Sequence, residues 1–124
     1  MSQFVIYAHS GEPERIHQIA TLSASAAANG DEAHVILFFG ALRRFVDDEL
    51  DSCLPAGEGA RGAHSAEELI ESARRLGKLK IYACAAQPKL LGLAPEDVAD
   101  VVDEVISLPE FMRKTKGAET KLFI

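Results

Sequence analysis

The chain contains only two cysteines, Cys53 and Cys84, and neither belongs to a CxxC pair. So few cysteines support neither a disulfide framework nor a zinc site built from cysteine ligands. The four histidines show no HxxxH spacing, and the sequence lacks the GxGxxG and GxxxxGK[ST] patterns of nucleotide-binding loops. We therefore expect no metal and no organic cofactor, so that any cysteine chemistry would be performed by a free thiol.

Basic charge and long hydrophobic runs are also scarce. The chain has 13 lysines and arginines and 19 aspartates and glutamates, so its net charge is −6. This charge disfavours general nucleic-acid binding, although a local basic patch can still form. No apolar run approaches the roughly 18 residues of a membrane span. The first residues lack the basic leader and the apolar length of a signal peptide. We expect a cytoplasmic protein without membrane or direct nucleic-acid partners.

The remaining pattern predicts one domain covering residues 1–124, in which strands and helices alternate. Apolar residues make up 48% of the chain, enough to form a single core. Short apolar and β-branched segments predict five strands, at 3–10, 33–40, 78–84, 103–107 and 120–124. Helical spacing and capping signals predict six helices, at 13–28, 41–52, 66–76, 87–92, 95–102 and 108–116.

Such alternation is typical of a three-layer α/β/α sandwich with a mostly parallel five-stranded sheet. Ligands of these sheets bind at the carboxyl ends of the strands. The residues predicted at those ends are His9, Ser10, Gly40 and Cys84. The Gly-rich segment 52–64 is expected to be a poorly ordered loop or a lid.

Cys84 is the main candidate for chemistry, and two interpretations apply to it. A thiol at a strand end, just before a helix, has its thiolate stabilised by the helix dipole, and Lys80 and Lys89 are near enough in sequence to add positive potential. Free cysteine is also among the most buried residue types, so Cys84 can equally be a packing residue.

Three further residues are secondary candidates. Cys53 follows the acidic run DDELD, whose carboxylates oppose thiolate formation, and an incidental loop cysteine is the better interpretation than a resolving thiol. His9 and His64 can reach the same sheet edge as acid/base or orienting groups for a thiol, although an ordinary surface or hydrogen-bonded histidine is the simpler interpretation for each.

Three segments resemble the DsrE/DsrF-like family, which includes the TusD-type sulfur-relay subunits. They are FVIYAHSGEPE, VILFFGA and above all IYACAAQPKLLGLAPEDVADVVDEVISLPEF (81–111). In that family a cysteine follows the third strand, a short helix ends in Gly-Leu, and an acidic segment comes next. This order is matched here first by Cys84, then by Gly92 and Leu93, and then by Glu96, Asp97 and Val98. The resemblance extends over essentially the whole chain.

The resemblance implies a small α/β sandwich that assembles with itself into trimers or hexamers. It also implies that Cys84 carries sulfur as a persulfide between a donor protein and an acceptor protein. The alternative is a non-catalytic oligomeric subunit or small-ligand-binding protein in which Cys84 only packs. A thiol peroxidase fits less well, because no arginine lies close to Cys84 in the sequence.

Overall fold

The computed structural model describes residues 2–54 and 63–124, which form an α/β fold around a parallel sheet. The sheet has five strands in the order β4-β3-β2-β1-β5. Their bounds are Gln3–Ala8 (β1), Glu32–Leu37 (β2), Leu79–Cys84 (β3), Glu104–Ile106 (β4) and Thr120–Phe123 (β5). Every neighbouring pair is parallel, so the predicted fold class is confirmed.

Helices connect the strands. Their bounds are Pro13–Ala28 (α1), Phe39–Val46 (α2), Ala66–Arg75 (α3), Gln87–Leu91 (α4), Pro95–Ala99 (α5) and Leu108–Lys114 (α6). The predicted capping box before α3 is present: the Ser65 hydroxyl accepts the amide of Glu68 at 3.3 Å, and the Glu68 carboxylate accepts the amide of Ser65 at 3.2 Å. No helix among the described residues is long and apolar enough to cross a membrane.

One face of the sheet carries the larger core. Alternate strand residues such as Ile6, Val35 and Ile81 are buried against α1, α2, α3 and α5. Because successive side chains of a strand point to opposite faces, the neighbours of these residues form a second, smaller cluster. Its buried members are Val5, Ile36, Tyr82, Cys84, Ile106 and Phe111.

Among the described helices, α6 alone contributes a buried side chain to this second cluster. Phe111 of α6 is fully buried and packs edge-on against Tyr82 and Tyr7, with ring centroids 5.0 and 5.6 Å apart. The sheet is therefore covered unequally, by several helices on one face and by a single seven-residue helix on the other.

Several predicted boundaries are wrong by two or three residues; α5, for example, ends at Ala99 instead of residue 102. Two boundary errors have a clear cause in the backbone. The second strand ends at Leu37 instead of residue 40, because the chain turns at Phe39, whose φ is +46°, and α2 begins there. The helix predicted over 41–52 is interrupted after Val46 by Asp48, whose φ is +56°, and only a 3₁₀ turn at Leu50–Ser52 follows. Neither positive φ is signalled by composition, since non-glycine residues rarely adopt it.

The turn at the end of β2 depends on two glycines that lie back to back. A methyl group at Gly40 would sit 2.8 Å from the amide nitrogen of Gly11, and one at Gly11 would sit 2.7 Å from the carbonyl oxygen of Gly40. These contacts are with backbone atoms, which cannot swing aside as a flexible side chain can. The β1–α1 and β2–α2 turns can thus approach this closely only without side chains.

We expect Gly40→Ala to lower the free energy of unfolding by about 1–3 kcal/mol, because the added methyl group overpacks this backbone contact. Gly117→Ala is the matched control, since nothing lies within 4 Å of a methyl group there. Its effect is expected to stay within about 0.5 kcal/mol, as for an ordinary surface substitution. Urea unfolding of both variants measures the difference, and equal stabilities would contradict the proposed clash.

Candidate functional site at the carboxyl edge of the sheet

Cys84 is the last residue of β3 and lies at the carboxyl edge of the sheet, as predicted. It pairs in register with Ile106 of β4, and the amide of the following Ala85 donates to the Ile106 carbonyl at 2.9 Å. The residue keeps 7% of its surface exposed, and Ala85 and Ala86 directly after it are both exposed. Cys84 thus lies just beneath the surface and is followed by two small, exposed residues.

The helix that follows Cys84 is too short for its dipole to stabilise a thiolate strongly. Helix α4 has five residues, and the N-cap residue Ala86 provides no side-chain cap. A helix of little more than one turn sums few aligned peptide dipoles, so its contribution to a thiolate is small.

Gln87, the first residue of α4, has a structural role that the sequence analysis missed. Its side chain is buried, and its Oε1 accepts the backbone N–H of Phe39 at 2.8 Å. Phe39 has the strained left-handed φ, which costs on the order of 1–3 kcal/mol for a non-glycine residue. Gln87 thereby ties the end of β3 to the β2–α2 turn. No local sequence pattern signals this hydrogen bond, since it joins residues 48 positions apart.

The two lysines expected near the thiol are placed differently from the prediction. Lys80 forms an ion pair with Glu104 at 2.8 Å and lies four strand residues from Cys84, or about 13 Å along β3. It is therefore wrong to count Lys80 among the charges acting on Cys84. Lys89 is exposed on α4 and lines an apolar cavity next to Ala85.

Cys53 lies in a loop just after the 3₁₀ turn, as predicted, but its burial was not expected. It is fully buried in the larger core, and its Sγ donates to the Glu49 carbonyl at 3.3 Å. Burial raises the pKa of its thiol; Glu49 and Asp51 act in the same direction, and Arg44 opposes them. The rest of the predicted loop, from residue 55 to 62, lies outside the described residues.

The histidines predicted to orient the thiol do not contact it. His64 is exposed, and its Nδ1 lies 3.2 Å from the Glu68 carboxylate, while its carbonyl accepts the Nε2–H of His17 at 2.8 Å. His9 follows β1, which is separated from β3 by β2, so the two backbones are about 10 Å apart. Neither histidine is positioned as a general base for Cys84.

An exposed aromatic surface lies on the face that α6 covers, toward β1 and β5. Phe123, Met112 and Phe39 are 73%, 54% and 48% exposed, and the Phe123 ring stacks on Tyr7 at 4.6 Å. With His9, this surface borders a cavity of about 450 Å³. We define the aromatic surface as Tyr7, Phe38, Phe39, Leu108, Met112 and Phe123.

No cluster of three or more metal-binding side chains occurs within residues 2–54 and 63–124. The carboxyl edge therefore offers a free thiol, small exposed residues and an apolar surface. These groups can perform thiol chemistry or bind an apolar partner.

The comparisons with known proteins establish the fold only. No protein-family model matches the chain, and no curated protein matches it either. A solved structure of a protein of unknown function from Methanobacterium thermoautotrophicum is similar, with a TM-score of 0.70, 13% sequence identity and full coverage of both chains. A conserved protein of unknown function from Bacteroides thetaiotaomicron gives a TM-score of 0.71 and 14% identity, covering 99% of this chain and 95% of its own.

Proposed function

We propose that this protein is a sulfur carrier that holds sulfur as a persulfide on Cys84 and passes it between protein partners. The observation that carries the proposal is the contrast between its two thiols. Cys53 is fully buried, with a raised pKa and a carbonyl partner, whereas Cys84 closes a strand at the sheet edge where α/β sites form. The resemblance to sulfur-relay subunits points to the same cysteine.

The transfer needs no oxidant and no cofactor. The Cys84 thiolate attacks the terminal sulfur of a donor persulfide, the donor S–S bond breaks, and the donor leaves as a thiolate. The product is Cys84–S–SH. An acceptor thiolate then attacks the outer sulfur and Cys84 leaves as a thiolate, so both steps conserve atoms and electrons.

The local structure suits this task in two ways. Ala85 and Ala86 are small and exposed, so a partner's loop can approach this strand end without meeting large side chains. The ladder hydrogen bond from Ala85 to Ile106 and the Gln87–Phe39 bond fix the backbone on either side of the strand end. Only 7% of the surface of Cys84 is exposed, so the docking of a partner would have to expose the thiol further.

We expect the wild-type protein to gain one sulfur atom after incubation with a persulfide donor, and Cys84→Ser to gain none. Serine is nearly isosteric with cysteine, so this variant should keep its fold. Cys53→Ser is the matched control and should be labelled as wild type is, because the Cys53 thiol is buried. Intact-mass spectrometry measures the added sulfur, and the circular dichroism spectrum checks the fold.

Two outcomes would contradict the carrier proposal. One is a sulfur adduct that persists in the folded Cys84→Ser protein. The other is the absence of any adduct on wild type with low-molecular-weight and protein persulfide donors alike.

A second function is favoured by the aromatic surface. A non-catalytic oligomeric subunit would bury this apolar surface against another copy, since monomers rarely expose large contiguous apolar patches. Phe123 lies on β5, an edge strand of the sheet, so the aromatic surface extends to an edge where chains commonly associate. In this case Cys84 would be a packing residue.

We expect wild-type protein to self-associate and Met112→Glu to shift it toward the monomer, because a buried unpaired carboxylate is strongly disfavoured. Met112 is exposed on α6, so the substitution should leave the protomer folded. Lys116→Glu, an exposed charge change just beyond α6, is the control and should leave the assembly unchanged. Light scattering coupled to size exclusion measures the mass; a wild-type monomer at all concentrations would refute self-association.

A further inference from the structure

His34 is a buried histidine on the sheet face that α6 covers. It is 8% exposed and lies two residues before Ile36 on β2, so both side chains point to the same face. Its Nδ1 is 2.8 Å from the hydroxyl of Tyr82, and the two rings stack with centroids 5.8 Å apart. Tyr82 in turn packs edge-on against Phe111 of α6, with centroids 5.0 Å apart. One side chain therefore connects His34 to the helix.

The surroundings of His34 fit a neutral imidazole and not an imidazolium. A neutral ring has one N–H and one acceptor nitrogen, whereas a protonated ring has two N–H donors. The Nε2 atom is buried and has no partner among residues 2–54 and 63–124. Burial raises the pKa of Tyr82, so its hydroxyl stays neutral and offers no negative charge to the ring. An added proton would therefore create a buried positive charge that these two contacts do not compensate, which is costly.

Charged side chains near His34 act in both directions. Glu32, on the same strand and face, favours the imidazolium, whereas Lys114 of α6 and Lys80 disfavour it. Lys80 is the register partner of His34 on β3. The Lys80 and Lys114 ammonium groups also contact the Glu104 carboxylate of β4, at 2.8 and 3.4 Å. Burial outweighs these charges, so the pKa of His34 is lowered from the ordinary histidine value of about 6.5.

The remaining titratable groups beside the imidazole lie on β1 and just before β3 and β4. On β1 the register partner is the apolar Val5, and Tyr7 is the only titratable residue of that strand. At the amino end of the sheet, Lys78 precedes β3 and Asp103 precedes β4. Asp103 forms an ion pair with Arg74 at 3.0 Å, so its charge is balanced without the imidazole.

Helix α6 is the cover over His34 that opens at the lowest cost. Phe111 is the only buried side chain within its seven residues. The larger core lies on the other face of the sheet and contains no residue of α6. Elements with few buried apolar contacts open at low free energy, without unfolding the rest of the chain. Opening of α6 also brings water to the pair formed by Tyr82 and His34.

We propose that His34 is a pH-sensitive switch for α6: protonation of the imidazole opens the helix from the sheet and exposes the second cluster to solvent. In the closed state burial holds the ring neutral, whereas in the open state the hydrated ring titrates near its ordinary value of about 6.5. The open state therefore binds more protons. Its fraction grows as the pH falls below about 6.5, by up to about tenfold per pH unit, until the closed state is protonated too.

The pH range of this switch separates His34 from the carboxylate that pairs with the two lysines. Lys80 and Lys114 hold the pKa of Glu104 below its ordinary value of about 4.5, so this carboxylate stays ionised well below the range in which His34 acts. The switch is independent of the proposed carrier function, because it concerns the position of α6 and not the transfer of sulfur.

The test is amide hydrogen exchange of the full chain between about pH 5 and pH 7, followed by NMR and corrected for the intrinsic exchange rate at each pH. The amides of Phe111 and Thr115 donate to carbonyls of the α6 region at 3.0 Å and report its opening, and that of Leu69 reports on α3. We expect protection of α6 to fall by about threefold or more from pH 7 to pH 5. It should also stay below that of α3 throughout, because α6 opens on its own.

Two variants and a control make the test specific. His34→Gln cannot titrate but keeps an acceptor for the Tyr82 hydroxyl. The double variant His34→Phe/Tyr82→Phe removes both polar groups together, so no unpaired atom is left in the core. We expect protection of α6 in both variants to be independent of pH over this range. His64→Gln changes an exposed histidine and should behave as wild type does.

Three results would overturn the proposal. The first is protection of α6 in wild type that does not change with pH. The second is the wild-type pH dependence in the folded His34 variants, which would assign it to another group. The third is equal protection of α3 and α6 at every pH, which would mean that α6 opens only when the whole chain unfolds.

Discussion

The packing of Phe111 between Tyr7 and Tyr82 is the interaction on which the second face of the sheet depends. Helix α6 runs from the carboxyl edge to the amino edge of the sheet, so only its diameter of about 10 Å lies across the strands. Five strands at about 4.8 Å spacing make a sheet about 19 Å wide, so one helix cannot cover the face. Phe111 therefore fixes α6 over the middle of the sheet, burying Tyr82 and Cys84 and leaving the periphery of the face less well covered.

The difference between the two ends of this face follows from the partial cover. Toward the carboxyl edge, the aromatic surface lies on the side where α6 begins, and Cys84 is held just beneath the surface next to the small, exposed Ala85 and Ala86. Toward the amino edge, Lys114 near the end of α6 joins Lys80 over Tyr82, and both lysines pair with Glu104. One face thus combines an apolar end, suited to protein contact, with a polar end of paired charges.

Local sequence patterns were sufficient for the fold but not for the surroundings of individual side chains. Continuous apolar runs predicted the parallel strands, and Ser65 with Glu68 predicted the start of α3, because these signals act within a few residues. Cys84 was correctly placed at a strand end, but its burial under α6 depends on residues more than 20 positions away. Cys53 was correctly placed in a loop, but its burial was not predicted, because it depends on the 3₁₀ turn that brings the thiol into the larger core. The His34–Tyr82 pair joins residues 48 positions apart, and its only sequence signal was a histidine within an apolar strand.

The central claim is that Cys84, and not Cys53, is the thiol that the folded protein presents for chemistry. The most direct measurement is the rate at which iodoacetamide, a small uncharged reagent, alkylates each cysteine of the native wild-type protein. Peptide mass spectrometry resolves the two sites, and the rates in the denatured chain normalise them. We expect Cys84 to react faster by about tenfold or more, because alkylation of Cys53 requires opening of the larger core and the pKa of the Cys53 thiol is raised. Equal normalised rates, or faster alkylation of Cys53, would contradict it.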